Sequence, residues 1–212
     1  MRCWTKITED IRAAYFPKKK DITGRLAEFE RKGRNAGEKE IFAELAFCLL
    51  TPQSKARVCW NAVERLLRKD ILFCGSEKLL VGELRGVRFK YNKAKYIIEA
   101  RRLLLPPGNL RSRIDEPDAR EWLSENVRGM GYKEASHFLR NVGLGGGFAI
   151  LDRHILKNLR RYGAIKRIPS RIGKKDYLRI EKKMKGLAEK AGIPLSHLDF
   201  VFWSKETGEI FK

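Results

Sequence analysis

The stretch Val127-Arg128-Gly129-Met130-Gly131-Tyr132-Lys133-Glu134-Ala135 places a short glycine turn directly before a helical pattern. Gly129 and Gly131 permit backbone conformations that side chains disfavour. The helix that follows has unpaired N–H groups in its first turn, and such groups bind phosphate oxygens. The stretch therefore predicts a phosphate-binding turn, with an ordinary connection between two helices as the alternative.

Lys133 lies in the first turn after these glycines. The positive end of a helix dipole disfavours an ammonium group, so we expect the pKa of Lys133 to be lowered and part of its amine to be neutral. A neutral lysine amine can attack the C1′ carbon of a nucleotide sugar and hold that carbon as a Schiff base. An ion pair with a phosphate explains the same position, and the residue by itself does not decide between the two.

A carboxylate follows the apolar run Ala149-Ile150-Leu151, at Asp152. Aspartate is a preferred N-cap, so Asp152 is expected to begin a helix. The same helix N-terminus keeps the carboxylate ionised, and a carboxylate beside the sugar stabilises an oxocarbenium-like transition state or helps to activate the nucleophile. Arg153 and His154 fall in the first turn of this helix, where both are candidates for phosphate binding.

Apolar residues recur at helical spacing through almost the whole chain. The segment Glu38–Leu50 is mostly apolar and is expected to form a buried central helix. The other predicted helices cover residues 7–16, 22–32, 54–68, 77–85, 91–105, 119–126, 133–142, 174–191 and 194–204, with one more starting at Asp152. Strand patterns are few and short, so the sequence predicts an all-α fold.

Glycine fills four of the five positions 143–147. We interpret this loop as the crossing between two helical lobes, one of residues 1–35 and 149–212 and the other of residues 36–148. Glycine lets the backbone pass close to a ligand or to a neighbouring helix. A phosphate cradle is the alternative, although no strand precedes the loop and no Gly-Lys-Ser/Thr follows it.

The formal net charge of the chain is +20, and the positive residues are spread along the whole sequence. This excess favours a polyanionic partner, and we predict nucleic acid. A charged surface of the thermophilic kind is the alternative, but ion-pair networks need nearly balanced signs. Because no apolar run could span a bilayer and the N-terminus has no signal region, we expect an intracellular protein of the cytoplasm or nucleoid, with no membrane partner. We also expect a monomer.

With these residues in place, the chain resembles the helix-hairpin-helix superfamily of base-excision DNA glycosylases. In that superfamily the hairpin is followed by the catalytic lysine, and a Gly-rich stretch leads to the catalytic aspartate. Lys133 and Asp152 stand at those positions, and Gly129 and Gly131 form the hairpin. The resemblance covers nearly the whole chain and is greatest to the compact type-2 8-oxoguanine DNA glycosylase/AP lyases of archaea and some thermophilic bacteria.

The resemblance implies a bifunctional DNA repair enzyme with two helical lobes and damaged duplex DNA in the cleft between them. Such an enzyme flips 8-oxoguanine out of the duplex and excises it through a lysine Schiff base. It then cleaves the strand 3′ to the abasic site by β-elimination. A glycosylase of the same fold for another lesion and a non-catalytic DNA-binding module are the alternatives.

The resemblance also gives roles to four further residues. In the subfamily the main-chain carboxylate of a C-terminal lysine reads the damaged base, and Lys212 matches that lysine. A carboxylate attracts the N7 proton of 8-oxoguanine and repels the N7 lone pair of guanine. Phe89 and Trp203 match apolar side chains that stack on the flipped base, and Gln53 matches a position near the lesion. A frayed end for Lys212 and core positions for the aromatic residues are the alternatives.

Cysteine usage separates the chain from two relatives. Endonuclease III and the adenine-mismatch glycosylases usually carry a four-cysteine cluster near the C-terminus, whereas this chain has no cysteine after Cys74. Its cysteines form no zinc spacing, and Cys48 and Cys59 are expected in the core. His154 shares no ligand spacing with the other histidines. We therefore expect no metal and no organic cofactor, apart from a monovalent cation bridging the hairpin and a phosphate.

Overall fold

A computed structural model describes residues 4–106 and 109–212, and the part of the chain it describes contains helices and no strand. The helices are α1 (Trp4–Tyr15), α2 (Lys19–Asn35), α3 (Glu38–Leu50), α4 (Ala56–Arg68), α5 (Ile71–Cys74), α6 (Glu77–Glu83), α7 (Lys90–Leu104), α8 (Asn109–Asp115), α9 (Ala119–Asn126), α10 (Tyr132–Asn141), α11 (Arg153–Arg161), α12 (Lys174–Ala191) and α13 (Leu195–Thr207), with a 3₁₀ turn at Phe16–Lys18. The predicted all-α fold is confirmed. None of the helices in these ranges is long and apolar enough to cross a membrane.

Three predicted helices, α3, α9 and α12, have the bounds that the sequence indicates. The helix predicted from Ser54 instead begins at Ala56, because Gln53 has a positive φ of 55° and keeps residues 52–55 in a turn. Helices α5 and α8 were not predicted, since they are too short to show a helical period. Helix α7 ends just before Pro106, while Pro107 and Gly108 of the predicted break, like Cys3, lie outside the described residues.

The buried apolar side chains form two clusters, and these are the cores of two helical lobes. The first cluster takes its buried residues from α3 to Val142 and has α3 at its centre, including the free thiols of Cys48 and Cys59. The second combines α1 and α2 with residues from Ala149 to α13. The lobe boundaries at 35/36 and 148/149 stay a prediction, and Phe211 packs against the first cluster rather than the second.

Two buried ion pairs join helices from different parts of the chain. Arg140 on α10 donates to Asp199 on α13 at 2.7 Å, and its guanidinium lies 4.4 Å from the Phe200 ring centroid. Arg120 on α9 donates to Glu181 on α12, also at 2.7 Å, and the same carboxylate oxygen accepts the Ala149 N–H. These contacts fix α9 and α10, which flank the hairpin, against the helices of the second lobe.

The glycine loop passes close to two helices. A Cβ atom added at Gly143, where φ is +76°, would lie 2.7 Å from Cα of Glu30 on α2. One added at Gly145 would lie 2.5 Å from backbone atoms of Arg140. Close packing therefore requires glycine at both positions. This agrees with the interpretation that glycine lets the loop pass close to a neighbouring helix.

Candidate active site

The hairpin between α9 and α10 is built on a close contact with α7. Gly129 has a positive φ of 87°, and a Cβ there would lie 2.3 Å from the Tyr96 ring. Met130 is buried, and its N–H donates to the carbonyl of Val127 at 3.0 Å. Gly131 is exposed and forms the N-cap of α10. The turn thus presents exposed backbone at the start of a helix, where anions bind.

Lys133 follows in the first turn of α10, and its ammonium is paired with a neighbour. Its Nζ lies 3.1 Å from Oε1 of Glu134, and 22% of the side chain is exposed. The other oxygen of Glu134 accepts the Gly131 N–H at 3.2 Å. One carboxylate therefore caps the helix and holds the lysine amine. Lys133 is half-buried but reachable, as a nucleophile must be.

The prediction of a lowered pKa for Lys133 is wrong. Burial pulls the pKa down, but the negative charge and hydrogen bond of Glu134 and the charge of Asp152 outweigh burial and raise it above the ordinary value. The expectation considered the helix dipole and left out the carboxylate next in sequence. In the free protein the amine is therefore an ammonium at neutral pH, and it has to lose a proton before it can attack carbon.

Asp152 is the N-cap of α11, as expected from the sequence. Its Oδ1 accepts the N–H of Ile155 at 2.8 Å, and the side chain is half-buried. Its charge contributes to the raised pKa of Lys133, which places the two groups in one electrostatic site. Arg153 is exposed and His154 is half-buried in the turn that follows, and their phosphate contacts stay predictions.

Glu134→Gln is expected to move the pH dependence of lysine chemistry to lower pH. The Gln oxygen can still accept the Gly131 N–H, but the charge that raises the pKa of Lys133 is gone. A shift of about one unit would raise the neutral fraction of the amine about tenfold at a given pH below the pKa. The shift is measured from single-turnover rates of adduct formation on abasic DNA between pH 6 and 9, with the adduct trapped by borohydride.

The matched control is Glu125→Gln, since Glu125 is exposed and its carboxylate lies 3.7 Å from Lys174. Its profile is expected to overlay that of the wild type. A Glu134→Gln profile that also overlays the wild type would show that Glu134 does not set the protonation of Lys133.

Lys212 is anchored rather than frayed. Its Nζ donates to Oε1 of Glu44 at 2.6 Å and lies 3.1 Å from the centroid of the Trp60 ring. Only 8% of the side chain is exposed. Burial is the largest influence on its pKa, which is lowered to about 8 although Glu44 acts in the opposite direction. The alternative of a loose terminus is therefore excluded by the packing of Lys212.

Glu44 is the centre of this anchor, and the sequence analysis missed it. It is fully buried in α3, where it also pairs with Lys32 of α2 and accepts from Asn141 of α10 at 3.2 Å. The available signal was a single acidic residue inside the apolar run 41–50 of α3. A buried carboxylate needs several partners, so its position predicts that other elements converge there.

His137 is a second residue that the sequence analysis did not single out. It lies one turn after Lys133 on the same face of α10 and is 7% exposed. Neither ring nitrogen has a hydrogen bond of ordinary geometry, although the main chain of Lys212 is near enough to raise its pKa. Burial dominates and brings the pKa well below the usual value, so the imidazole is neutral. The signal in the sequence was its i+4 spacing from Lys133.

The structure places the three predicted base-contacting side chains on different elements. Phe89 is 54% exposed, in a left-handed turn with φ 58°, before α7. Gln53 is exposed in the turn between α3 and α4. Trp203 is half-buried on α13 against the second cluster. Phe89 is not a core residue, and the stacking roles of Phe89 and Trp203 stay predictions.

Metal ligands were not expected. Across residues 4–106 and 109–212, no three His, Cys, Asp or Glu side chains form a group that could hold a metal ion. The exposed backbone of Arg128 and Gly129 at the hairpin offers carbonyl oxygens, which are the ligands of hard cations.

A protein-family comparison matches residues 22–193 to a model described as 8-oxoguanine DNA glycosylase. Two curated relatives, each named 8-oxoguanine DNA glycosylase/AP lyase, cover most of the chain. The protein of Fusobacterium nucleatum is 44% identical over 194 residues, which are 89% of each chain. The protein of Methanocaldococcus jannaschii is 36% identical over 91% of this chain and 93% of its own.

Two solved structures have the same fold. The 8-oxoguanine DNA glycosylase of Thermotoga maritima superposes with a TM-score of 0.90 at 32% identity, over 99% of this chain and all of the other. The 8-oxoguanine glycosylase/lyase of M. jannaschii, in complex with a 15mer DNA containing 8-oxoguanine, superposes with a TM-score of 0.86 at 34% identity over 98% of both chains. The similarity includes both lobes and the hairpin.

Proposed function

The chain belongs to the 8-oxoguanine DNA glycosylase family, and on that premise we propose that it excises 8-oxoguanine from duplex DNA with Lys133 as nucleophile and then cleaves the abasic strand. The observation that carries this assignment of roles is the group formed by Lys133, Glu134 and Asp152 behind an exposed hairpin. The family supplies the substrate class and both activities. The geometry supports the residue roles.

The first chemical step breaks the bond between C1′ and the base. The Lys133 ammonium first loses a proton to solvent, and the neutral amine then attacks C1′. The bonding electrons leave with the base, which takes up a proton. Asp152 carries negative charge beside the sugar and stabilises the positive charge that develops on it. The product is a covalent adduct between Nζ of Lys133 and C1′ of the closed sugar ring.

The second step cleaves the strand. Ring opening gives a Schiff base between Nζ and C1′, which acidifies the protons on C2′. Loss of one C2′ proton and of the 3′ phosphate breaks the C3′–O bond by β-elimination. Water then hydrolyses the Schiff base and returns the amine of Lys133. The hairpin, with Gly129 and Gly131, and the helix start with Arg153 and His154 hold the phosphates on either side of the sugar.

Recognition of the base is assigned to the end of the chain. The main-chain carboxylate of Lys212 accepts the N7 proton of 8-oxoguanine and repels the N7 lone pair of guanine. The contact of Lys212 with Glu44 and Trp60 holds this carboxylate beside the neutral His137. Phe89 and Trp203 stack on the flipped base, and Gln53 lies near the lesion. We propose that no organic cofactor takes part, and the backbone carbonyls of Arg128 and Gly129 at the hairpin would hold an alkali cation that offsets the charge of a bound phosphate.

Product analysis tests the proposed function. The protein is incubated with duplexes that contain 8-oxoguanine, guanine, or other oxidised or alkylated bases at one position. We expect release of 8-oxoguanine and a strand break on its 3′ side. Release of another base in its place would assign a different lesion to the same fold, and binding without release from any duplex would leave a DNA-binding module.

Extending the chain by one glycine after Lys212 is expected to reduce discrimination between 8-oxoguanine and guanine. The extension converts the carboxylate into a neutral amide but leaves the anchored side chain in place. We expect the ratio of single-turnover rates on the two bases to fall by about 10- to 100-fold, the size of one charge-assisted hydrogen bond. An unchanged ratio would remove the carboxylate from base recognition.

We also propose that the protein acts as a monomer inside the cell, at the nucleoid. A net charge of +20 favours DNA over other partners.

A further inference from the structure

Lys93 is a buried lysine that the chemistry above does not use. It lies in the first turn of α7 and is 3% exposed. Its Nζ donates three hydrogen bonds, to the carbonyl of Leu50 at 2.7 Å, to the carbonyl of Pro52 at 2.7 Å and to Oγ of Ser54 at 3.1 Å. Among the described residues it makes no ion pair within 4.0 Å, and burial lowers its pKa.

These bonds connect Lys93 to the turn that contains Gln53. Leu50 is the last residue of α3, and Pro52 and Ser54 lie in the connection between α3 and α4. Gln53 itself has a left-handed backbone, which costs free energy in a residue with a side chain. The ammonium of Lys93 therefore holds in place a turn whose conformation is strained.

The same lysine is connected to the turn that contains Phe89. Its backbone N–H donates to the carbonyl of Phe89 at 3.1 Å, and Phe89 also has a left-handed backbone, with φ 58°. The Oγ of Ser54, which accepts from Lys93, also accepts the N–H of Arg88 at 3.0 Å. Lys93 and Ser54 thus form hydrogen bonds that connect the turn of Gln53 to the turn of Phe89.

The two turns carry side chains that face solvent rather than the core. Phe89 is more than half exposed, and the Arg88 guanidinium lies 5.6 Å from its ring centroid. Gln53 is exposed as well. Exposed turns that have a strained backbone and are held rigidly by buried hydrogen bonds are typical of contact surfaces.

We propose that Lys93 is a positioning residue, which sets the distance between Gln53 and Phe89 so that both side chains engage the duplex at the lesion. The inference rests on the proposed glycosylase activity for its readout. Opening a base pair needs both side chains in place, because unstacking and unpairing cost several kcal/mol in a duplex and little in a single strand. The chemistry at Lys133 on an unpaired strand does not need them.

Lys93 is not a second nucleophile. An ammonium has three N–H donors, and all three of its donors are used. The geometry therefore assigns Lys93 a role in orienting backbone, and adduct formation stays with Lys133.

The test compares two substrates for each variant. Lys93→Met removes the three donors and keeps an apolar side chain of similar length. We expect it to slow 8-oxoguanine excision from duplex DNA by roughly 10- to 100-fold, the effect of displacing a contacting group by about 1 Å. Cleavage of a single-stranded abasic oligonucleotide is expected to stay within about twofold of the wild type, since that strand needs no opening.

Arg101→Met is the matched control on the same helix. Arg101 also donates to backbone carbonyls, those of Leu72 at 3.4 Å and Gly75 at 3.0 Å, but at a site that does not include either turn. Its loss is expected to leave the ratio of the two activities unchanged. Ser54→Ala, which breaks the bond to Arg88, is expected to lower the ratio of duplex excision to single-strand cleavage by a smaller factor. If Lys93→Met does not fold, the ratio measured for Ser54→Ala tests the proposal instead.

The outcomes separate the two proposals. A wild-type protein that excises no 8-oxoguanine overturns the proposed function. An active wild type with Lys93→Met unchanged on the duplex, or slowed equally on both substrates, overturns the positioning role. A loss confined to the duplex, absent in Arg101→Met, supports it.

Discussion

Lys133→Gln is expected to abolish excision of 8-oxoguanine. The amide has nearly the size of the lysine side chain but no nucleophilic lone pair, so it cannot form a bond to C1′. Loss of a nucleophile costs about 10⁴- to 10⁶-fold in rate where the rest of the site stays intact. Single-turnover excision from an 8-oxoguanine duplex measures this loss directly.

The fold should tolerate this change, because within the described part of the chain Lys133 forms an ion pair with its neighbour Glu134 and with no other carboxylate. Binding of the lesion duplex is expected to stay within about tenfold, since one phosphate-facing charge at most is lost. Lys69→Gln, which removes an exposed lysine paired with Glu83 in the other part of the central lobe, is the control and should be fully active. Appreciable excision by Lys133→Gln would assign the attack on C1′ to a water molecule.

Arg140→Met is expected to destabilise the protein by about 3–5 kcal/mol, the usual effect of removing one partner of a buried ion pair. Arg140 is 5% exposed, and its guanidinium lies 5.4 Å and 4.4 Å from the ring centroids of Phe29 and Phe200 while it donates to Asp199. Its loss leaves a buried carboxylate without its cation at the junction of α2, α10 and α13. Urea unfolding followed by circular dichroism measures the change.

The pH dependence of this variant gives a second readout. Burial already raises the pKa of Asp199 from 3.8 to about 7 with Arg140 beside it, and removing the cation raises it further. A carboxyl whose pKa is raised on folding loses stability as pH increases from its unfolded value. Arg140→Met should therefore be less unstable at pH 5 than at pH 8.

Arg128→Met is the control for Arg140→Met. Arg128 also meets a carboxylate and an aromatic ring, Glu99 and Tyr96, but its side chain is 68% exposed. The expected cost is below about 1 kcal/mol. Equal losses for the two variants would show that burial of the Arg140 pair is not the reason for its effect.

Helices with a long apolar period were predictable from the sequence, and the turns were not. The bounds of α3, α9 and α12 follow from their patterns alone. The start of α4 was misplaced because a positive φ at Gln53, a residue that rarely adopts one, has no signature in the sequence. That conformation depends on Lys93, which lies far along the chain on α7.

In the candidate active site too, local features were predictable from the sequence and long-range contacts were not. Lys133 and Asp152 were found because a glycine turn and an N-cap are local patterns. The pKa of Lys133 was predicted in the wrong direction, since it depends on the side-chain conformer of Glu134 and on the distance to Asp152. The contact of Lys212 with Glu44 joins residues 168 positions apart in the sequence, and only the fold brings them together.

Borohydride trapping shows directly whether Lys133 forms a Schiff base with the sugar of a damaged nucleotide. The protein is mixed with a duplex containing one 8-oxoguanine, with an undamaged duplex and with an abasic duplex, and each mixture is reduced. We expect a covalent adduct on the lesion and abasic duplexes for the wild type, none on undamaged DNA, and none for Lys133→Gln. An adduct that persists in Lys133→Gln, or its absence from both damaged duplexes with the wild type, would contradict this expectation.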